Sequence, residues 1–401
     1  MSKLEELIQQ LCPDGVEWTI LKEIANIGTG SSDRKNAVEN GLYPFYVRSK
    51  DVLRINTYEF DETAIIIPGE GGIGEIFHYV KGKYALHQRA YRIKIIADVL
   101  NSKFVYYFMM ENFKKFIEQK AVNATVTSIR KPMIEEFPIP FPPLPVQEEI
   151  VRLLDQLTET TQKYQSELEA ELELRKKQYE EYLNSFFGYD FDDLLANKEI
   201  KGYQIMPLSE LGTLTRGKRF VRDDVKASGQ PCIHYGDLYT HYGIIADVTK
   251  TYLDRDFPKK MRYAQKGDVV IVGAGENDWD IGIGLVWNGE EPAAVHDACY
   301  ILQHQMNPKY ISYYLRSACY HLQIKKYVST GKICSISSEG IGKALIPIPS
   351  LEKQQRIVNI LDRMDKTHKE LCQSIEYEIK MRKQQYEYYR NQLLDFKKKE
   401  E

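Results

Sequence analysis

The chain has 401 residues, of which 43% are hydrophobic and 28% charged, and a net charge of −3. That length suffices for two or three domains with real cores, and the apolar and aromatic content excludes a disordered chain. No apolar run reaches the roughly eighteen residues of a membrane span, and near-neutrality by itself carries no sign of nucleic acid. Residues 1–11 have neither the basic start nor the apolar stretch of a signal peptide. The cysteines Cys12, Cys232, Cys299, Cys319, Cys334 and Cys372 are scattered without a CxxC pair, as in reduced thiols of a cytoplasmic protein.

In chain order, a short helix over 2–11 opens a first globular part that runs to 143. Ala64, Ile65, Ile66 and Ile67 read as a buried strand ending in Gly69-Glu70-Gly71-Gly72-Ile73-Gly74. That spacing fits a dinucleotide fingerprint, which should open a helix and place an acidic residue about twenty positions on. Residues 75–80 look like a strand instead, and position 89 is Arg89, so the stretch reads as a hairpin turn and no cofactor-binding residue is assigned. His87, just before a strand, reads as a core or interface residue. A helix near 102–118 follows, then the stiff segment Phe137-Pro138-Ile139-Pro140-Phe141-Pro142-Pro143.

The segment 144–190 reads as a long helix. Ile150, Leu154, Leu157, Tyr164, Leu168, Leu172 and Tyr179 recur mostly three and four apart, the spacing of a coiled-coil seam. At 1.5 Å per residue such a helix spans about 60 Å, too long to hide its stripe inside one small domain. It needs a partner helix, parallel or antiparallel.

A second globular part covers 191–350. Gly212-Thr213-Leu214-Thr215-Arg216-Gly217-Lys218-Arg219 falls short of a phosphate loop, because Arg219 stands where a magnesium-binding hydroxyl is needed. What remains is a basic loop through Arg222, either a contact to phosphates or an exposed turn. Val269 to Val272 read as a buried strand, His296 sits where His87 does, and 308–326 reads as a helix. After Ile346-Pro347-Ile348-Pro349, a second long helix is expected over 351–397, with seam positions Ile357, Leu361, Met364, Leu371, Ile375 and Tyr386.

The two halves are copies. IPFPPLPVQEEIVRLLD at 139–155 matches IPIPSLEKQQRIVNILD at 346–362, 207 positions apart, and the offset carries Arg175, Lys176, Gln178 and Tyr179 onto Arg382, Lys383, Gln385 and Tyr386. Leu21-Lys22-Glu23-Ile24 likewise resembles Leu208-Ser209-Glu210-Leu211. The fold class is therefore α+β: two β-rich globular parts in tandem, each followed by a long helix.

No Ser–His–acid arrangement, HExxH or metal-binding carboxylate pair can be assembled, so no catalytic or metal-binding residue is assigned. Charge partition says more than the net value. The first helix, 144–187, carries ten acidic and five basic side chains, whereas both globular parts are mildly basic and rich in tyrosine. Two such parts on a rigid acidic spacer suit a bipartite reader of double-stranded DNA. The candidate contacts are Arg34, Lys35, Arg48, Lys50, Arg89, Asn123, Thr125 and Arg130 in the first part. In the second they are Arg216, Lys218, Arg219, Arg222, His234, Tyr235, Arg262 and Lys332. The alternative is a coiled-coil adaptor whose globular parts bind protein.

The order globule–helix–globule–helix and the opening Leu11-Cys12-Pro13-Asp14-Gly15-Val16-Glu17-Trp18 resemble the specificity subunits of type I restriction–modification systems. So do the repeated Ile-Pro-x-Pro-x-Leu boundary and the Arg-Lys-x-Gln-Tyr segments at 175–179 and 382–386. The resemblance covers essentially the whole chain. It implies two target recognition domains in a pseudo-twofold tandem repeat, with the two long helices paired as an antiparallel coiled coil that sets the gap between half-sites. It also implies two modification (methyltransferase) subunits using S-adenosylmethionine for adenine methylation, and restriction/translocase subunits using ATP and magnesium. The specificity chain itself would hold no cofactor and catalyse nothing.

Overall fold

The structure, a computed structural model, describes residues 2–120, 128–187, 199–200, 203–257 and 260–399. It divides into two compact units, one formed by 1–169 with 377–401 and the other by 170–376. The sequence-based boundaries at 143 and 350 adjoin the starts of the long helices, and the one at 190 lies outside the described residues. The compact units instead each take part of both long helices, because the helices pack into the globular cores.

In the first unit, helix Lys3–Leu11 starts with a capping box closed by Ser2 and Glu5. The proline-punctuated Pro138–Phe141 pairs antiparallel with Glu17–Ile20 in a two-stranded sheet, where missing N–H groups do little harm. The main sheet has six strands in the order Ala25–Thr29, Ala90–Ile95, Phe60–Pro68, His78–Leu86, Tyr43–Tyr46, Leu53–Ile55. Alternation along Phe60–Pro68 sends Ile65 and Ile67 into a core with Phe104, Phe108 and Phe113 of helix Ser102–Lys120. Ala64 and Ile66 join Val80, Tyr84 and Leu86 in a separate cluster. Each such buried aromatic contributes about 1.5–3 kcal/mol by leaving water.

The second unit repeats the scheme with the sheet split in two. One sheet runs Gly212–Arg216, Cys299–His304, Val269–Val272, Gly284–Trp287, Ile245–Ala246. The other runs Thr251–Leu253, Gln230–Ile233, Ala293–Val295, Tyr263–Ala264. The helix expected over 308–326 is broken into Pro308–Tyr314 and Ala318–Ile324. Ser317 causes the break: its hydroxyl donates to the Tyr314 carbonyl (2.7 Å) and accepts from the Tyr320 N–H (3.3 Å), capping a new helix.

The long helices are Leu144–Phe187 and Leu351–Leu393. Their attachment shows the duplication as geometry. In the first unit the Asn101 N–H donates to Gln147 (2.8 Å), whose amide donates to the Pro142 carbonyl (2.7 Å). Lys103 and Tyr107 both donate to Asp155, at 2.8 and 2.6 Å. In the second, Asn307 donates to Gln354 (2.9 Å), Gln354 to the Pro349 carbonyl (2.8 Å), and Lys309 and Tyr313 to Asp362 at 2.9 and 2.8 Å.

The expected seam divides into three kinds of position. Ile150, Leu154 and Leu361 are fully buried, and with Ile357 they pack into their own globular cores, not a partner helix. Leu157, Leu168, Leu172, Tyr179, Met364 and Tyr386 are half-buried and Ile375 is buried. Tyr164 and Leu371 stay 52% and 41% exposed, so the seam is only partly covered at these positions. Two helices cover only one edge of each other, so a stripe three to four residues wide is not all enclosed. Polar groups join these apolar side chains in the pairing beyond the globules. In the first unit Thr158 meets the Tyr386 hydroxyl (3.1 Å), and Arg382 lies over the Tyr164 ring (5.9 Å), so the helices run antiparallel there. In the second, Tyr179 donates to Asp365 (3.2 Å) and stacks on His368 at 4.5 Å, while Lys176 lies within reach of the Glu376 charge, again in opposite directions.

Candidate nucleic-acid interface

Loops of the first unit gather a charged cleft of about 260 Å³ lined by Arg34, Val47, Arg48, Ser49, Glu70 and His87. Arg34 lies on a short 3₁₀ turn capped by Asp33, Arg48 follows strand Tyr43–Tyr46, and Glu70 follows strand Phe60–Pro68. The Glu70 carboxylate accepts from Arg48 (2.9 Å) and Arg89 (3.0 Å), and these hydrogen bonds, Arg89 first, pull its pKa below the ordinary carboxylate value. Gly71, Gly72 and Gly74 all have φ between +61° and +70°, so the glycine stretch is a left-handed turn joining antiparallel strands Phe60–Pro68 and His78–Leu86. It does not open a helix, which agrees with the hairpin reading.

The second unit gathers rings. His296 lies 4.6 Å from His234, 4.9 Å from Phe220 and 5.6 Å from Tyr235, centroid to centroid. The loop beside it is pinned by backbone: the Gly217 N–H donates to the Cys299 carbonyl and the Lys218 N–H to the Val295 carbonyl, both at 2.9 Å. A Cβ on Gly217 would lie 2.1 Å from the His296 carbonyl oxygen, so only glycine fits. Arg216 donates to the Asp297 carbonyl (2.7 Å) and Arg262 to the Arg216 carbonyl, so both brace the loop. Lys218, Arg219 and Arg222 are exposed and, among the described residues, form no ion pair.

His87 and His296 are equivalent in detail. The Nδ1 of each accepts the N–H two residues on, from Arg89 at 3.0 Å and from Ala298 at 3.1 Å. Burial lowers both pKa values, and because Nδ1 accepts, the ring proton of each sits on Nε2. His296 donates that proton to the Phe220 carbonyl (3.1 Å). His234 is also held below its usual pKa by burial, and accepts from the Gly236 N–H (3.3 Å) as a helix cap.

Of the residues chosen from sequence, Arg34, Arg48 and Arg89 fall in one cleft region, and Lys218, Arg219, His234 and Tyr235 surround one loop and ring cluster. Arg216 and Arg262 are spent on loop support. Lys35, Lys50, Arg130 and Lys332 are exposed and not joined to either cluster by a hydrogen bond or ion pair among the described residues. Asn123 and Thr125 lie outside the described residues. Sequence reading missed Glu70, taken only as part of a glycine turn, and the place of Phe220 and His296 beside the basic loop. The recurrence of a histidine at matched positions in both copies was the available signal.

The profile of the type I restriction modification DNA specificity domain matches residues 13–174 and again 200–381. A Haemophilus influenzae protein assigned as a type I restriction enzyme specificity subunit is 28% identical over 396 residues, covering 95% of this chain and 96% of that one. The Escherichia coli EcoR124I/EcoR124II specificity subunit is 27% identical over 308 residues, 74% of this chain and 72% of its own length. A chain in a solved type I restriction–modification structure has a similar fold, with TM-score 0.72 at 15% identity over 96% of this chain and 98% of that chain.

Proposed function

The chain belongs to the type I restriction–modification DNA specificity family, and on that premise we propose that each unit reads one half of a divided DNA target. The observation that carries this reading is the presence of two matched loop clusters, each with exposed cations beside a histidine whose Nδ1 accepts the N–H two residues on. Lysines and arginines free of carboxylates contact phosphates, and fixed guanidinium and ring groups meet base edges. The long helices supply the spacing between half-sites. They also offer similar faces, since the exposed Lys176 and Lys383 occupy matched positions on the two helices.

On this reading two modification subunits, carrying S-adenosylmethionine, dock on the repeated faces and methylate adenine at the sites this chain selects. Restriction/translocase subunits with ATP and magnesium complete the nuclease. This chain's part is to bind and position. Filter binding of the complex reconstituted with its modification subunits tests the proposal. Retention of particular genomic fragments against excess random competitor supports it. Equal loss of all fragments favours the protein-adaptor reading instead.

A further inference from the structure

We propose that Glu70 is a specificity-determining residue of the first unit, presetting Arg48 and Arg89 to read guanine. The inference rests on the DNA-reading role proposed above. Each guanidinium gives one Nη1 to the same carboxylate oxygen, Oε2 of Glu70 (2.9 and 3.0 Å). Among the described residues neither arginine side chain has another hydrogen bond, so each fork keeps paired N–H groups to offer. Guanine presents O6 and N7 in the major groove as two neighbouring acceptors, and a guanidinium fork matches them.

A phosphate-binding arginine gains nothing from a carboxylate 3 Å away, because that charge repels the backbone it must approach. A base-reading arginine gains orientation: a fork fixed in advance loses less rotamer freedom on binding. The setting is concave and ringed by Arg34, Ser49 and His87, unlike an open basic patch. The second unit supplies a contrast. Gly69 and Gly273 are equivalent, since each donates to the matched carbonyl of Arg89 (2.9 Å) or Ala298 (2.7 Å), and accepts from Ile129 or Ile336 at 2.9 Å. The residue after Gly69 is Glu70, but the residue after Gly273 is Ala274. The device therefore exists in one unit only.

The test uses the full chain with its modification subunits and target duplexes in which each guanine in turn becomes 7-deazaguanine, which lacks N7. The expected result is a loss of affinity of about five-fold or more at one or two guanines of a half-site. With Arg89→Ala that sensitivity disappears, while the other half-site behaves as before. With Glu70→Gln, affinity for random duplex rises while discrimination at those guanines shrinks, a split that a merely structural role does not produce. Arg89→Lys, which keeps the charge but lacks the fork, gives the same loss of guanine sensitivity if Arg89→Ala proves unstable. The proposal is overturned if no guanine is sensitive, if neither Arg48→Ala nor Arg89→Ala removes the sensitivity, or if Glu70→Gln leaves it unchanged. An unaltered complex that selects no duplex over random DNA overturns the DNA-reading role itself, a different failure.

Discussion

Asp155 joins the first long helix to its globular core, and removing it has a calculable cost. Its carboxylate accepts from the Tyr107 hydroxyl at 2.6 Å and from Lys103 at 2.8 Å. Tyr107 is 4% exposed, so Asp155→Ala takes the carboxylate acceptor from a buried hydroxyl that keeps the Thr158 side chain as a hydrogen-bond partner, a loss of about 1–3 kcal/mol. The Lys103 pair is a third or more exposed at both ends and adds at most about 1 kcal/mol. The expected total is about 2 kcal/mol. Tyr107→Phe alone should cost about 1 kcal/mol, and the double variant clearly less than the sum, because no polar group is then stranded. Two compact units need not unfold in one step, so the assay is amide hydrogen exchange in helix Ser102–Lys120 of the full chain. A loss of about 2 kcal/mol there accelerates exchange roughly thirty-fold. Acceleration below about three-fold for Asp155→Ala, or strict additivity in the double variant, would refute the reasoning.

Replacing Lys218 and Arg219 together with alanine should weaken binding by a similar factor on all duplexes and lower the salt slope by about two, measured between 50 and 200 mM salt. An unchanged slope removes the loop from the interface. Gly217→Ala forces a Cβ against the His296 and Val295 carbonyls, 2.1 and 2.4 Å away, and should destabilise the second unit by about 1–3 kcal/mol, read by thermal unfolding. Glu149, 3% exposed and hydrogen-bonded to Arg152 (2.6 Å) and Lys3 (2.8 Å), has its pKa pulled down to about 2 by those partners. Its folded value lies below the roughly 4.3 of an unfolded chain, so its stabilisation is present above pH 4.3 and fades as pH falls toward 2. Glu149→Gln should flatten stability across that window, as followed by denaturation midpoints from pH 5 to 2.5; identical pH profiles would contradict it.

The repeat and the long helices were legible because both leave periodic signals: a constant 207-residue offset and a three-four apolar spacing. Where the stripe goes was not legible. Ile150 and Leu154 look the same in sequence as Leu168 and Leu172, yet the first pair packs under Phe104 and Phe108, and only tertiary contact separates them. Ser317 was invisible as a helix break because serine is tolerated inside helices, and its cap forms only when the chain turns there. At the interface, basic residues could be picked but not sorted. Arg216 differs from Lys218 only in what lies across the loop, the Asp297 carbonyl, and Glu70 gained meaning only when strands brought Arg48 and Arg89 to it.

The central claim is that the two units read separate half-sites and the helices fix the distance between them. It is tested most directly by mapping methylated adenines across the host genome with the natural chain and with a lengthened one. The lengthened chain has four residues inserted between Leu168 and Leu172 and four between Ile375 and Ile379. Four helical residues add about 6 Å, the rise of about two base pairs. The expected map with the natural chain is one motif of two constant half-sites around a fixed unspecified gap, and with the lengthened chain the same half-sites around a longer gap. An unchanged gap, or altered half-sites, would contradict the account.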